Sequence, residues 1–229
     1  MPLILQIETA TTSCSVALVQ DGQVLAIKEL DQRNVHAEVI TLFIEEVFAV
    51  AGKKYKDLDA VAVSSGPGSY TGLRIGVSTA KGLCYALDKP LIAIETLKAM
   101  ADGMATRLAD EFTDNTLLCP MIDARRMEVF TALFDTKGNK VMPTEAMIVD
   151  TDSFGEYLKA HPIVFFGDGA EKCRETLTQP NAKFVPGFAN SAADLTASAL
   201  AKFNAADFED VAYFEPYYLK DFIAGVKKV

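Results

Sequence analysis

Two stretches of this chain run through the same series of elements. Residues 3–24 read LILQIETATTSCSVALVQDGQV, and residues 117–141 read LLCPMIDARRMEVFTALFDTKGNKV. Each has an apolar strand with an acidic residue at its end, Glu8 in one and Asp123 in the other. Each continues through a polar turn, a second strand and a glycine-bearing hairpin into a third strand. Asp21-Gly22 between apolar runs is a strong hairpin signal. A second echo follows. Ala60–Val63 leads into Gly66-Pro67-Gly68-Ser69-Tyr70-Thr71-Gly72 and a segment from Leu73 to Leu87 with apolar residues at helical spacing. Ile163–Phe166 leads into Gly167-Asp168-Gly169-Ala170 and a helical stretch. Any two hairpins look alike, but the matched order of elements points to duplication, and so to two similar α/β lobes.

The remaining elements fit that plan. Asn34 is placed to cap a helix from Val35 to Ala51, with Gly52 ending it. Asp88-Lys89-Pro90 breaks the helix that ends at Leu87, a strand covers Leu91–Ile94, and a helix covers Leu97–Arg107. Ser191 and Asp194 form a capping-box pattern ahead of a helix to about Phe203. The division expected is residues 1–108 and 109–229, with the aromatic, then basic tail from Tyr213 to Val229 returning toward the first lobe.

Half of the 229 residues are hydrophobic and 23% are charged, which describes a folded chain with a real core. No apolar run is long enough to span a bilayer and no basic-then-apolar leader opens the sequence, so a cytoplasmic protein is expected, away from membranes. Cys14, Cys84, Cys119 and Cys173 lie far apart with no CxxC pair, so free buried thiols are expected. His36 and His161 are the only histidines, which excludes a histidine-pair metalloprotease site. The net charge of −9 disfavours the chain as a nucleic-acid binder acting alone.

The loop from Gly66 to Gly72 admits two uses. A strand, a glycine-rich turn and a helix can aim backbone N–H groups at a phosphate. The same residues can make a tight connection, the glycines serving backbone geometry and Ser69 or Thr71 capping the helix.

Two lobes that each open with a hairpin behind a carboxylate-tipped strand resemble the actin/Hsp70/sugar-kinase superfamily, in which ATP sits between the lobes. The sequence GPGSYTGLRIGVSTAKGL at 66–83 resembles the signature of the TsaB (YeaZ) family. IETATTSCSVALV at 7–19, DARRMEV at 123–129, GDGA at 167–170 and PYYLK at 216–220 resemble that family's other blocks, in the same order. The resemblance implies an α/β fold of two ribonuclease H-like lobes, each a mixed sheet flanked by helices. It implies a role in forming N6-threonylcarbamoyladenosine at position 37 of tRNAs that read codons starting with A. In that family the protein is not the catalyst. It pairs with a TsaD-like transferase, a TsaE-like ATPase joins them, and a homodimer forms when the transferase is absent. ATP and metal are then expected on the partners, tRNA is met through the complex, and this chain requires no cofactor.

The residues bear on that expectation. Nucleotide-binding relatives use Asp-x-Gly at each lobe's first turn, because a side chain there blocks approach to phosphate. This chain has Glu8-Thr9-Ala10 and Asp123-Ala124-Arg125. Glu8, Thr11, Asp123, Gly167 and Gly169 are therefore expected around a vestigial cleft. The rival reading is an ATP-dependent phosphotransferase holding Mg²⁺ through Glu8 and Asp123. A peptidase, the family's older glycoprotease label, finds no catalytic constellation. The resemblance also aligns the paralogue's HxxxH metal pair with Thr96 and Met100, which are not metal ligands in that setting. Arg125 and Arg126 remain open between pairing with Glu8 or Asp123, binding an anion, and solvation. His36 is expected as a capping or surface residue.

The 35–51 helix carries Val39, Ile40, Phe43, Ile44, Val47, Phe48, Val50 and Ala51 over roughly 180° of its surface, against about 100° for a one-sided helix. Either it is clamped between a sheet and the next helix, or part of it meets another protein. The resemblance favours the second; Val39, Phe43, Val47 and Val50 are expected near its centre, as the sub-arc that best separates from the residues facing the sheet, and Arg74 either reaches across it or is solvated.

Overall fold

The computed structural model describes residues 1–220, the side chain of Asp110 excepted. The basic end of the tail lies outside these residues. The first sheet contains β1 (Leu3–Glu8), β2 (Ser13–Gln20), β3 (Gln23–Asp31), β4 (Ala60–Gly66) and β5 (Leu91–Glu95), in the order β3-β2-β1-β4-β5. β1, β2 and β3 are antiparallel, while β4 and β5 run parallel to β1. The second contains β6 (Leu117–Asp123), β7 (Glu128–Asp135), β8 (Lys140–Ile148), β9 (Ile163–Phe166) and β10 (Ala182–Val185), in the order β8-β7-β6-β9-β10. β6, β7 and β8 are again antiparallel, and β9 and β10 run parallel to β6. This is one ribonuclease H-like topology used twice, as the repeated sequence order implied.

Local chemistry explains the strand boundaries. Asp21 and Gly22 both have positive φ, at 51° and 79°, which matches the twist of a two-residue hairpin between β2 and β3. β1 is buried along its whole length because it has a neighbour on each edge and helices on both faces.

The helices are α1 (His36–Ala51), α2 (Tyr70–Leu87), α3 (Thr96–Arg107), α4 (Gly155–Ala160) and α5 (Thr196–Asn204). α1 and α2 cover one face of the first sheet around Leu5, Ile7, Val16, Leu18, Val61 and Val63. α3 lies between the two sheets. Its Ala99 packs toward Ile4, Ala62 and Ile92 of the first sheet, and its Leu97, Met100 and Met104 pack with Leu118, Phe130 and Phe166 of the second. α5 adds Ala199 to the first of these clusters. α4 lies behind the second sheet, where Phe154 and Leu158 meet Phe165.

Two expectations about helices need correction, and one of two offered caps is selected. Asn34 is not the cap of α1. It has φ 63° and turns the chain, and Val35 precedes the helix with its carbonyl accepting from the N–H groups of Glu38 and Val39. The helical stretch expected after Gly169 is a single 3-10 turn, Glu171–Cys173, so the second lobe lacks a counterpart of α2. Thr71 lies inside α2, and the cap is Ser69, whose hydroxyl accepts from Gly72 N at 3.3 Å. The Ser191/Asp194 capping box is present and opens a 3-10 turn, Ala192–Leu195, that leads into α5. All four cysteines are free and buried. No helix among the described residues is long and apolar enough to cross a membrane.

The segment after α5 crosses from one sheet to the other. Glu209 bridges to Leu91, and Lys81 Nζ donates to the carbonyl of Phe214 at 2.8 Å. Tyr217 N donates to Ser65 O at 2.7 Å, Leu219 packs in the cluster between the sheets, and Lys220 pairs with Glu128 on β7.

Candidate functional site: a filled turn, a narrow cleft and an open helix face

The turn from β1 to β2 is where a superfamily nucleotide site begins. Here α2 sits directly on it. Ser69 N donates to Ala10 O at 2.6 Å, and Thr9 Oγ1 donates to Gly72 O at 2.9 Å. A Cβ on Gly68 would lie 2.4 Å from Ala10 O, on Gly72 2.1 Å from Thr9 O, and on Gly76 2.2 Å from Thr9 Oγ1. The glycines of the loop and helix therefore serve close approach of backbone to backbone.

The second lobe repeats the device. Gly167, at φ 101°, and Gly169 bring their loop onto the end of β6, with Gly169 N donating to Met121 O at 3.0 Å. A Cβ on Gly167 would lie 2.4 Å from Met121 O, and one on Gly169 would lie 2.9 Å from Ile122 C.

Glu8 is buried, and its carboxylate accepts from Ala10 N at 2.6 Å. Burial pushes its pKa up to about 7, opposed by the Ala10 N–H and the Ser64 hydroxyl. Thr11 is half-buried, and its carbonyl lies 3.0 Å from His36 Nε2, which is also 3.2 Å from Ser13 O. His36 is thus a buried tie between α1 and the first turn, not a surface residue. Thr96 is buried and accepts from Gly66 N at 3.1 Å, while Met100 lies in the core between the sheets.

Asp123 is exposed at the end of β6. It pairs with Lys172 and accepts from Arg125 N at 3.0 Å, and its own N–H donates to Asp168 at 2.9 Å. Asp123, Asp168, Asp31, Thr12, Gln32 and Arg33 line a cleft of about 320 Å³ between the lobes. Glu8, Thr11, Gly167 and Gly169 do not line it. Asp31, Arg33 and Asp168 were not singled out from the sequence. Only Asp168 carried a signal, through its place between two glycines. Burial raises the Asp168 carboxyl, helped by the charges of Asp123 and Asp31 and opposed by the Asp123 N–H and Lys172. Among the described residues no cluster of three or more His, Cys, Asp or Glu side chains could hold a metal ion. A larger cavity of about 810 Å³ behind the second sheet, with Met142, Met147, Phe154 and Tyr157 in its lining, shares no residue with this cleft.

The α1–α2 face is different in character. Leu42 is 53% exposed, Val50 67% and Tyr85 of α2 86%. Val39 and Phe43 of α1, with Ile75 and Leu83 of α2, are partly buried and pack against the core of this lobe. Gly82 has open space around it. Val47 must be removed from the expected surface. It is 0% exposed, because it continues the Ile40-Ile44-Phe48 stripe that faces the sheet. Leu42 lies on the outer side instead and was overlooked. Arg74 is exposed at the other end of α2, over the Tyr70 ring at 4.5 Å and donating to the Tyr218 hydroxyl at 3.2 Å.

Comparison with known proteins agrees with this architecture. A family model described as "TsaD: tRNA N6-adenosine threonylcarbamoyltransferase" matches residues 23–225. The tRNA threonylcarbamoyladenosine biosynthesis protein TsaB of Escherichia coli (strain K12) is 37% identical over 148 residues, which is 63% of this chain and 62% of that protein. The match therefore spans about three fifths of that relative's length. The TsaB of Bacillus subtilis (strain 168) is 31% identical over 170 residues, or 72% of this chain and 70% of that one. Among solved structures, YeaZ from Pseudomonas aeruginosa superposes with a TM-score of 0.82 at 24% identity, covering 96% of this chain and all of that one. The duplicated topology, the glycine-packed turns and these matches together make the chain a member of the TsaB (YeaZ) family.

Proposed function

We propose that this chain is a non-catalytic partner of a TsaD-like transferase in the formation of N6-threonylcarbamoyladenosine at position 37 of tRNAs that read codons starting with A. The observation that carries the proposal is the α1–α2 face. Among residues 1–108, Leu42 and Val50 of α1 and Tyr85 of α2 are, after Met1, the most exposed large apolar side chains, and Gly82 of α2 has open space around it. An apolar helix pair of this kind suits docking against a second protein. The names of the TsaB relatives supply the pathway. The Glu8-Thr9-Ala10 and Asp123-Ala124-Arg125 turns, each with a side chain where nucleotide-binding relatives use glycine, weigh against a phosphotransferase. In this reading the protein works in the cytoplasm, a TsaE-like ATPase joins the pair, and the same face serves a homodimer when the transferase is absent.

The test is co-purification of the purified chain with its transferase. The Leu42→Glu/Val50→Glu double variant is expected to weaken the complex at least 100-fold, because two charges must be desolvated against an apolar partner. Both side chains are exposed, so thermal unfolding of the isolated variant should stay within about 0.5 kcal/mol of the parent. An unchanged complex would assign the contact to another surface.

A further inference from the structure

The turn from β6 to β7 holds two consecutive arginines in a conformation that favours glycine. Arg125 has φ 73° and Arg126 has φ 50°. The turn is closed by Glu128 N donating to Arg125 O and Ala124 N donating to Glu128 O, each at 3.1 Å. Both side chains are exposed, and among the described residues neither guanidinium has a hydrogen bond, ion pair or ring contact. The carboxylates beside them are already matched, Asp123 with Lys172 and Glu128 with Lys220. Exposed guanidinium groups held in strained backbone, with no partner among the described residues, point to an external one.

The turn is one end of a continuous belt. From Glu128 the surface passes to Lys220, then to Tyr218, whose ring packs on Tyr70 with centroids 4.9 Å apart, and then to Arg74. Tyr217 is exposed beside them. The cations Arg74, Arg125, Arg126, Lys172 and Lys220 stand against the carboxylates Asp123, Glu128, Asp168 and Glu215, five to four, in a chain whose net charge is −9. Guanidinium groups grip phosphate, and tyrosine rings accept stacked bases. Asp31 and Asp168 line the cleft behind the turn, so a phosphate is repelled from the interior and held along the rim. That favours a long polyanion over a small nucleotide.

We infer that this belt binds the phosphodiester backbone of RNA, with Arg125 and Arg126 on phosphates. The inference rests on the proposal that the chain works on tRNA beside a transferase. The experiment measures tRNA affinity of the chain–transferase complex across a range of salt concentrations, for the parent, Arg125→Gly/Arg126→Gly and Arg125→Lys/Arg126→Lys. Glycine adopts the turn's φ freely, so the first variant keeps the fold. It is expected to bind tRNA about tenfold more weakly, and its log-affinity against log-salt slope should fall by about 1.5, or roughly 0.7 per lost contact. The lysine variant should keep most of the slope. Unchanged affinity and slope in the glycine variant overturn the inference. So does loss of ATP binding with tRNA binding intact, which would mark a nucleotide site. Loss of complex assembly with RNA affinity intact would mark a protein contact and also overturns it. Failure of the partner proposal reads out separately, as a parent chain that does not co-purify with the transferase. Titrating the isolated full chain and its variants with tRNA at low salt then tests the belt without the transferase, with the same drop expected in the glycine variant and an unchanged affinity overturning the inference.

Discussion

Gly72→Ala is expected to destabilise the isolated chain by about 4 kcal/mol and lower its melting temperature by about 10 °C. The added Cβ would lie 2.1 Å from the carbonyl oxygen of Thr9, a backbone atom with no rotamer to retreat into. Relief requires moving either α2 or the β1–β2 turn, and both are tied together by Ser69 N to Ala10 O and Thr9 Oγ1 to Gly72 O. The matched control is Gly82→Ala, on the same helix, where nothing lies within 4 Å of the new methyl. There the better helix propensity of alanine should raise stability by about 0.5–1 kcal/mol. Thermal or denaturant unfolding of both variants decides the matter. Equal effects at the two positions would mean that the loop glycines do not serve close packing on the turn.

Glu8→Gln is expected to stabilise the protein at pH 8 and to leave it nearly unchanged at pH 4. Burial raises the Glu8 carboxyl from an ordinary 4.5 to about 7. A raised carboxyl binds its proton more readily in the folded state, so folding stability falls as pH climbs from about 4.5 to about 7. Below that window the group is neutral in both states and the penalty is absent. Above it the full penalty, about 3 kcal/mol, is present. Glutamine is neutral at every pH, and its oxygen can still accept from Ala10 N. Its amide N–H₂ takes the place of the protonated carboxyl's O–H beside Ser64 and Asn190, so the gain expected at pH 8 is close to the full penalty, about 3 kcal/mol. Asp194 keeps a residual slope at lower pH in both proteins. Its carboxyl is raised by burial to about 6 from an ordinary 3.8, opposed mainly by Arg107. Denaturant unfolding of parent and variant from pH 4 to pH 8 should therefore give curves that converge in acid and separate above pH 6. Parallel curves would show that Glu8 is not a protonated core group near neutrality.

The strands, the hairpins and the duplication were legible in the sequence because they are local. Alternation of apolar residues, Asp21-Gly22, Gly52 and the Ser191/Asp194 box each act within a few positions of themselves. The β9 loop matched its first-lobe counterpart, but the helix expected after it shrank to a single turn, Glu171–Cys173. A helical pattern that short depends on what packs over it. Asn34 misled for a similar reason, since a good capping residue is also a good left-handed turn residue.

The surface of α1 shows the other boundary. Its wide apolar arc was plain in the sequence, but which part faces the sheet was not. Val47 and Val50 differ by three positions, and one is fully buried while the other is two-thirds exposed. The rotation of the helix on the sheet decides between them, through contacts with Val16, Leu18 and Val61 that come from distant parts of the chain. The cleft behaves likewise. Asp31, Arg33, Asp123 and Asp168 meet only because two lobes are set against each other around α3. By itself the sequence determined the elements, their repetition and the glycines that let backbones touch, since those depend on the conformational range of each residue and its near neighbours. The tertiary structure alone decided which apolar side chains stay exposed, which carboxylates share a cleft and which arginines stand exposed at the β6–β7 turn, because those follow from the summed packing of residues far apart along the chain.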